Sequence, residues 1–245
     1  MSLPPCGLDE IVAAYDVGEL KSVEPIATGG ALLAELHSRL AEIQPRVGKA
    51  LRVCTKDAAD AIAQIDSYLA LIDRRPTRDD FDERARECLT VQREMLAANQ
   101  DRRPFQSVRV EPAGWIHGDF HQFNLLWEGN QVTAILDWDR LRVDWLLAEL
   151  VRASNLIFMR PDGRGIDLER LSAFGTGYRA TRPVRRDHLG LAVDHWWWDD
   201  LCGLWPLTRH HDRGDTTCDH FVFSSDTRRR GWADHDRDVR TAFLD

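Results

Sequence analysis

The sequence predicts an α+β fold, mostly α, with one small β unit in its middle. Three observations carry this. Apolar residues recur at helical spacing over most of the first hundred residues and again from Trp145 onward. Between those halves lie two β-rich runs, NLLW and QVTAILDW, joined by Glu128-Gly129-Asn130, which suits a three-residue hairpin loop. The 245 residues are 43% apolar and 29% charged, enough to bury a core without disulfide or metal staples.

The elements follow in order. Residues 8–16 read as a short helix, and 20–26 as an extended piece ending in Gly29 and Gly30. The run ALLAELHSRLAEIQ sets Leu32, Leu33, Leu36, Leu40 and Ile43 on one helical face, and Pro45 ends it. Residues 57–73 repeat the pattern with Ile62, Ile65, Leu69 and Ile72. Pro76 interrupts, and Thr77 with Asp80 reads as a capping box opening a helix that carries Phe81, Ala85, Cys88, Leu89 and Leu96. A strand at 108–110 and a turn at 112–114 lead to His117. Past the β-rich runs, helices are predicted over 145–158, 167–179 and roughly 186–206, with the loop PDGRG between the first two. The stretch RRRGWADHDRDVRTAF closes the chain as an amphipathic helix. All nine tryptophans lie at or after Trp115, so the two parts of the chain differ in composition.

Charge and cysteine usage narrow the function classes. Forty acids against 32 bases give a net charge of −8, the wrong sign for gripping a phosphate backbone, so no nucleic-acid partner is expected. The same charge suits a cationic small molecule. Only Lys21, Lys49 and Lys56 among the bases are lysines. Five scattered cysteines (Cys6, Cys54, Cys88, Cys202, Cys218) without a C-x-x-C predict a reducing, cytoplasmic setting in which thiols serve as small hydrophobes. MSLPPCGLDE lacks the basic and apolar regions of a signal peptide. No run approaches the ~18–20 apolar residues of a membrane span, so no membrane partner is expected.

The densest polar constellation is His117-Gly118-Asp119, then Asn124, then Asp137. Four residues separate Asp119 from Asn124, and Asp137 follows Asn124 by thirteen. These residues punctuate an apolar hairpin, at whose ends they would be put to use. The spacing matches phosphoryl transfer: one carboxylate takes the acceptor's hydroxyl proton, while an amide and a second carboxylate hold Mg²⁺ on the triphosphate. Asp and Asn also favour turns, the plainer reading of each residue alone.

H-G-D-F-H-Q-F-N followed by L-D-W resembles the H-G-D-x-x-x-x-N and I-D-W signature of the aminoglycoside phosphotransferase and choline-kinase-like small-molecule kinases. The likeness continues through AILDWDRLRVDWLLAELVRA and covers roughly residues 31–243. It implies a protein-kinase-like C-terminal lobe with a catalytic β-hairpin. It implies Asp119 as catalytic base, His117 as a structural residue of the catalytic loop, and Asn124 and Asp137 as Mg²⁺ ligands that thereby bind the ATP cofactor. The reaction implied is transfer of the ATP γ-phosphate to a hydroxyl of a small, amine-bearing molecule.

The pattern departs from the family at its start. A complete member has an N-terminal lobe with a five-stranded sheet, a phosphate-gripping lysine and an adenine-holding hinge. Here GELKSVEPIATGG passes directly to GALLAELHSRLAE. The expected organisation is therefore 1–30 as a remnant of a truncated N-lobe and 31–245 as the catalytic lobe. Two outcomes stay open: an active kinase, or an inactive homologue that binds a ligand or partner. An uncovered upper face predicts self-association.

Further patterns have competing readings. His117, Asp119 and His121 form an H-x-D-x-H that could suggest a metal hydrolase but lacks helical H-E-x-x-H spacing. His210, His211, Cys218 and His220 resemble a zinc set without its spacing. Trp138, Trp145 and Trp196 to Trp198 read as core or pocket wall, with stacking on a substrate ring as the alternative. Asp194, Asp199, Asp200, Asp212, Asp215 and Asp219 could receive ammonium groups or form a solvated face. Glu149 reads as orienting the catalytic loop or capping a helix.

Overall fold

Glycines that weaken an isolated helix are tolerated where two backbones must touch. The structure, a computed structural model, describes residues 24–43, 51–128, 131–160 and 165–244. Its first element, α1 (Glu24–Ile43), is a continuous helix, so the extended reading of 20–26 fails from Glu24 onward. The reason lies at Gly30, where a Cβ would collide with the carbonyl oxygen of Phe174. Gly29 and Gly30 are thus a packing surface and not a helix boundary. Leu33 and Ala34, further along α1, are fully buried.

The chain continues through β1 (Leu51–Cys54), α2 (Ala58–Asp73) and α3 (Asp80–Ala98). Asp79 caps α3 by accepting the Asp82 N–H at 2.8 Å; the predicted cap at Thr77 sits two residues too early. Then come β2 (Ser107–Val110), β3 (Ala113–Ile116), β4 (Leu125–Glu128), β5 (Gln131–Ile135) and β6 (Arg142–Trp145). They form antiparallel pairs β1–β2, β3–β6 and β4–β5. The β4–β5 hairpin is nested inside the β3–β6 pair, which brings residues 117–124 and 136–141 side by side at one end. The 112–114 turn gives way to β3 because Gly114 pairs with Asp144, an edge that the sequence reading did not anticipate.

Helices complete the fold: α4 (Leu146–Ile157), α5 (Leu168–Thr181), α6 (Arg186–Leu201) and α7 (His220–Leu244). α5 packs along α1 beside Gly30. α6 stops at Leu201, short of 206, because other side chains take its terminal carbonyls. Gln92 bonds the Leu201 and Gly203 carbonyls, and Arg229 those of Asp200 and Gly203. α7 starts eight residues before the predicted terminal helix and kinks at His235.

Trp145, Trp198 and Trp232 are fully buried, and their indole N–H groups are satisfied by the Glu111 carbonyl, the Lys56 carbonyl and Asn155. Trp138 is exposed, so of its two readings, core and pocket wall, the core one fails. The four described cysteines are free; burial pushes the Cys88 thiol up to about 11 and the Cys202 thiol up to about 12, as expected of inert apolar side chains. Among the described residues no helix is long and apolar enough to cross a membrane. The 8–16 helix, Pro45, Lys21, Lys49, Cys6 and the hairpin tip at Gly129 and Asn130 lie outside the described residues.

Candidate functional site

The site is built on the loop between β3 and β4. Buried Ile116 and Phe120 anchor it on either side of His117-Gly118-Asp119. Gly118 has φ +84°, and a Cβ there would strike the Arg140 carbonyl of the neighbouring loop. Glycine is therefore demanded twice, by conformation and by space.

Glu149, in the first turn of α4, holds the loop from below. One carboxylate oxygen accepts the Gly118 N–H at 2.5 Å, and the other accepts the His117 N–H at 3.1 Å. That second oxygen is also 2.9 Å from Nε2 of His37 on α1, whose Nδ1 is 2.8 Å from the Tyr178 hydroxyl on α5. All three side chains are buried. Three helices thus converge on two backbone amides, and the network is satisfied throughout.

His117 ties the two loops together. Its Nδ1 accepts the Asp119 N–H at 3.2 Å, which puts the ring proton on Nε2, where it is donated to the Leu136 carbonyl at 2.8 Å. The Leu136 N–H donates in turn to the Asn124 carbonyl at 2.8 Å. Asn124 donates its side-chain amide to the Asp119 carbonyl at 2.9 Å, and its Oδ1 has no hydrogen-bond partner among the described residues. Asp137, next after Leu136, adopts the left-handed conformation at φ 58° and ψ 68°. Its exposed carboxylate has no hydrogen-bond or ion-pair partner among the described residues. All four predicted site residues are therefore brought to one place, with Asp119 and Asn124 in direct contact and Asp137 linked through Leu136.

The Asp119 carboxylate is half-buried among positive groups. Oδ1 accepts from Nη2 of Arg152 at 2.7 Å, while Oδ2 stands 3.8 Å from both Arg140 Nε and His121 Nε2. Burial works to raise its pKa, but the Arg152 hydrogen bond and charge, with help from His121 and Arg140, hold it below the ordinary carboxyl value. His121 is lowered by burial, partly opposed by the charges of Asp119 and Asp137. Sequence reasoning missed Arg152, Arg140, His37 and Tyr178. The signal for Arg152 was its i+3 spacing from Glu149 on one helix.

The competing patterns dissolve in this geometry. Both His117 nitrogens are spent inside the loops, so the H-x-D-x-H reading has no metal site. His210 bonds Asp219 and stacks on Phe81 at 4.0 Å. Among the described residues no His, Cys, Asp or Glu cluster could hold a metal by itself. Among the described residues Asn124 Oδ1 and the Asp137 carboxylate are nonetheless unpartnered hard oxygen donors, the chemistry Mg²⁺ takes from one or two protein groups while keeping its waters and substrate phosphates. Lys56, the one described lysine, points its Nζ at the Cys202 carbonyl, 3.5 Å away.

Residues 9–184 match the model of the phosphotransferase enzyme family. Among solved structures the chain is similar to the macrolide 2'-phosphotransferase MphH from Brachybacterium faecium, in its apoenzyme form. That likeness has 14% identity and a TM-score of 0.40, and covers 83% of this chain and 59% of that one. No curated protein matches.

Proposed function

From the premise that the chain belongs to the aminoglycoside-phosphotransferase-like phosphotransferase family, we propose that it transfers the ATP γ-phosphate to a hydroxyl of a small, amine-bearing molecule. The observation that carries this reading is the unpartnered pair of oxygen donors, Asn124 and Asp137, hydrogen-bonded into register with Asp119. Asp119 is the base. Arg152 occupies Oδ1 and keeps the carboxylate ionised, which leaves Oδ2 to accept the acceptor's hydroxyl proton. General-base assistance of this kind contributes about 10²–10⁴-fold. His117 and Glu149 act through the backbone and position Asp119.

Asn124 and Asp137 would hold Mg²⁺, which when bound neutralises charge on the triphosphate oxygens. Among the described residues no lysine contacts the Asp119 loop: Lys56, the one described, has its Nζ 3.5 Å from the Cys202 carbonyl. That observation favours the second reading, a homologue that binds without turnover. The exposed apolar residues of the hairpin and its loops support self-association as a further property.

Calorimetry with Mg²⁺–ATP decides between the two readings. Heat for the wild type that is lost in Asp137→Ala supports the kinase. Its absence in the wild type overturns the kinase. Phosphate transfer abolished in Asp119→Asn then assigns the base.

A further inference from the structure

Charge is sorted unevenly in this fold. Five of the six acids that the sequence nominates for a cationic partner are engaged by other side chains: Asp194 by Arg240, Asp200 by Arg228, Asp212 by Tyr68, Asp215 by Arg209 and Asp219 by His210. The cavity beside the catalytic loop and the one beside Trp197 both set acids among their bases. A third cavity, of about 300 Å³, does not. It lies between α2 and the segment joining α6 to α7. It carries Lys56, Arg209 and Arg213, with no acid among the described residues of its lining. On a chain of net charge −8 that concentration of positive charge runs against the whole.

The donors of this lining are underused. The Lys56 ammonium has three, and its recorded contact is the Cys202 carbonyl at 3.5 Å. Arg213 has no hydrogen-bond or ion-pair partner among the described residues. Arg209 gives Nε and Nη2 to Asp215 at 2.9 and 2.7 Å, which leaves Nη1 without a partner among the described residues. Its charge is balanced there, so Lys56 and Arg213 supply the field and Arg209 a further donor. The backbone that gathers the arginines is a π-turn over Thr208–Asp212. Turns of this width are rare and recur at functional sites. Here it sets Thr208, Arg209 and Arg213 on one cavity and leaves Asp212 on the Tyr68 hydroxyl at 3.2 Å, outside the lining. Trp205 completes the group. It is 50% exposed even with the Phe221 ring packed against it at 5.3 Å, so indole surface remains open at the cavity.

We propose that this cavity binds a planar ring bearing a phosphate, with the phosphate on Lys56, Arg209 and Arg213 and the ring on Trp205. Donors on three cations suit a dianion with three oxygens better than a carboxylate. The volume of about 300 Å³ stands at the lower edge of the roughly 300–1,000 Å³ that encloses a drug-sized ligand, so the ring phosphate is a small one. The cavity shares no lining residue with the one beside the catalytic loop, and none of Asp119, Asn124 and Asp137 lines it. The ligand is a second one, apart from the acceptor, and the inference does not rest on the phosphotransferase reading.

The test is calorimetric titration of the full chain without Mg²⁺ or nucleotide. Phenyl phosphate is the probe. Inorganic phosphate lacks the ring, benzoate carries a single charge, and benzylamine reverses the charge. Phenyl phosphate is expected to bind about three- to tenfold more tightly than inorganic phosphate or benzoate, and benzylamine not to bind. Trp205→Leu should erase the gap between phenyl and inorganic phosphate. Lys56→Gln and Arg213→Gln should each weaken phenyl phosphate about two- to fivefold, and added salt should weaken it in the wild type. All three side chains are exposed, so the variants should melt with the wild type. In the unsubstituted chain the Trp205 indole ¹⁵N–H signal should shift during the titration. No binding to folded wild type overturns the proposal, as does equal binding of benzoate or benzylamine, or binding that Lys56→Gln and Arg213→Gln leave unchanged. Mg²⁺–ATP heat is measured separately, so loss of the kinase reading and loss of this one are distinguishable.

Discussion

Arg152 Nη2 lies 2.7 Å from the Asp119 carboxylate, an ion pair between the second turn of α4 and the loop it supports. Burial alone would push Asp119 up; Arg152 reverses the sign. Arg152→Met therefore lets burial dominate and moves protonation of Asp119 to higher pH. The acid limb of the kcat/KM profile should shift upward with it, and a coincident limb for mutant and wild type would contradict the role given to Arg152. The stability effect has the same sign. A carboxyl whose folded pKa is depressed contributes fully above its ordinary value of 3.8 and loses that contribution as pH falls through the folded value.

Glu149 is the acceptor for two backbone amides and for His37 at once. Its side chain is 2% exposed and that of His37 is fully buried. Removing one partner of such a pair costs about 3–5 kcal/mol. Glu149→Ala should lower the urea midpoint by a corresponding amount. Glu149→Gln is isosteric yet must turn an amide nitrogen toward a donor, so it should also destabilise, by less. A midpoint unchanged in both variants would remove Glu149 from the support of the loop.

The two glycines of α1 predict opposite signs. At Gly30 a Cβ meets the Phe174 backbone, which cannot move aside without separating α1 from α5. Gly30→Ala should destabilise by about 1–3 kcal/mol, the usual cost of overpacking. At Gly29 the nearest atom is the Phe174 ring edge at 3.4 Å. Gly29→Ala should be neutral or gain up to about 1 kcal/mol of helix propensity. Thermal melts of the two variants settle the comparison, and equal shifts would refute the close-contact account.

What the sequence made legible follows from range. The helical stripes of α2 and α4, and the hairpin of β4 and β5, are written in local periodicity and were readable. So was the spacing of Asp119, Asn124 and Asp137, because a short nested hairpin fixes it. The start of α1 was misread because the reason for Gly30 lies 144 residues away, at Phe174. The end of α6 was misread for a similar reason, since Gln92 and Arg229 supply its terminal partners. Local propensity has no access to such contacts. Nor could it sort the acids of α6, where only the packed fold decides which carboxylate is already paired.

Phe123, Trp127, Leu136, Trp138 and Leu141 are each about 39–56% exposed, and all belong to the β4–β5 hairpin or its flanking loops. Large apolar side chains scattered singly on a surface need no explanation, but five within nineteen residues of one hairpin form a patch. Two of the five touch the catalytic loop, Trp138 against the His117 ring and Phe123 against the His121 ring, so a partner that covers them also affects access to Asp119. The chain should therefore bind an apolar fluorescent dye in its native state and self-associate with rising concentration in light scattering. Trp127→Lys and Leu141→Lys, neither of which belongs to the Glu149 network and both exposed in the fold, should reduce both signals while leaving the melting temperature within a few degrees. A monodisperse wild-type monomer that binds no dye would show that this patch is too small or too divided to drive association. Apolar residues there would then be left to contact the bound reactants alone.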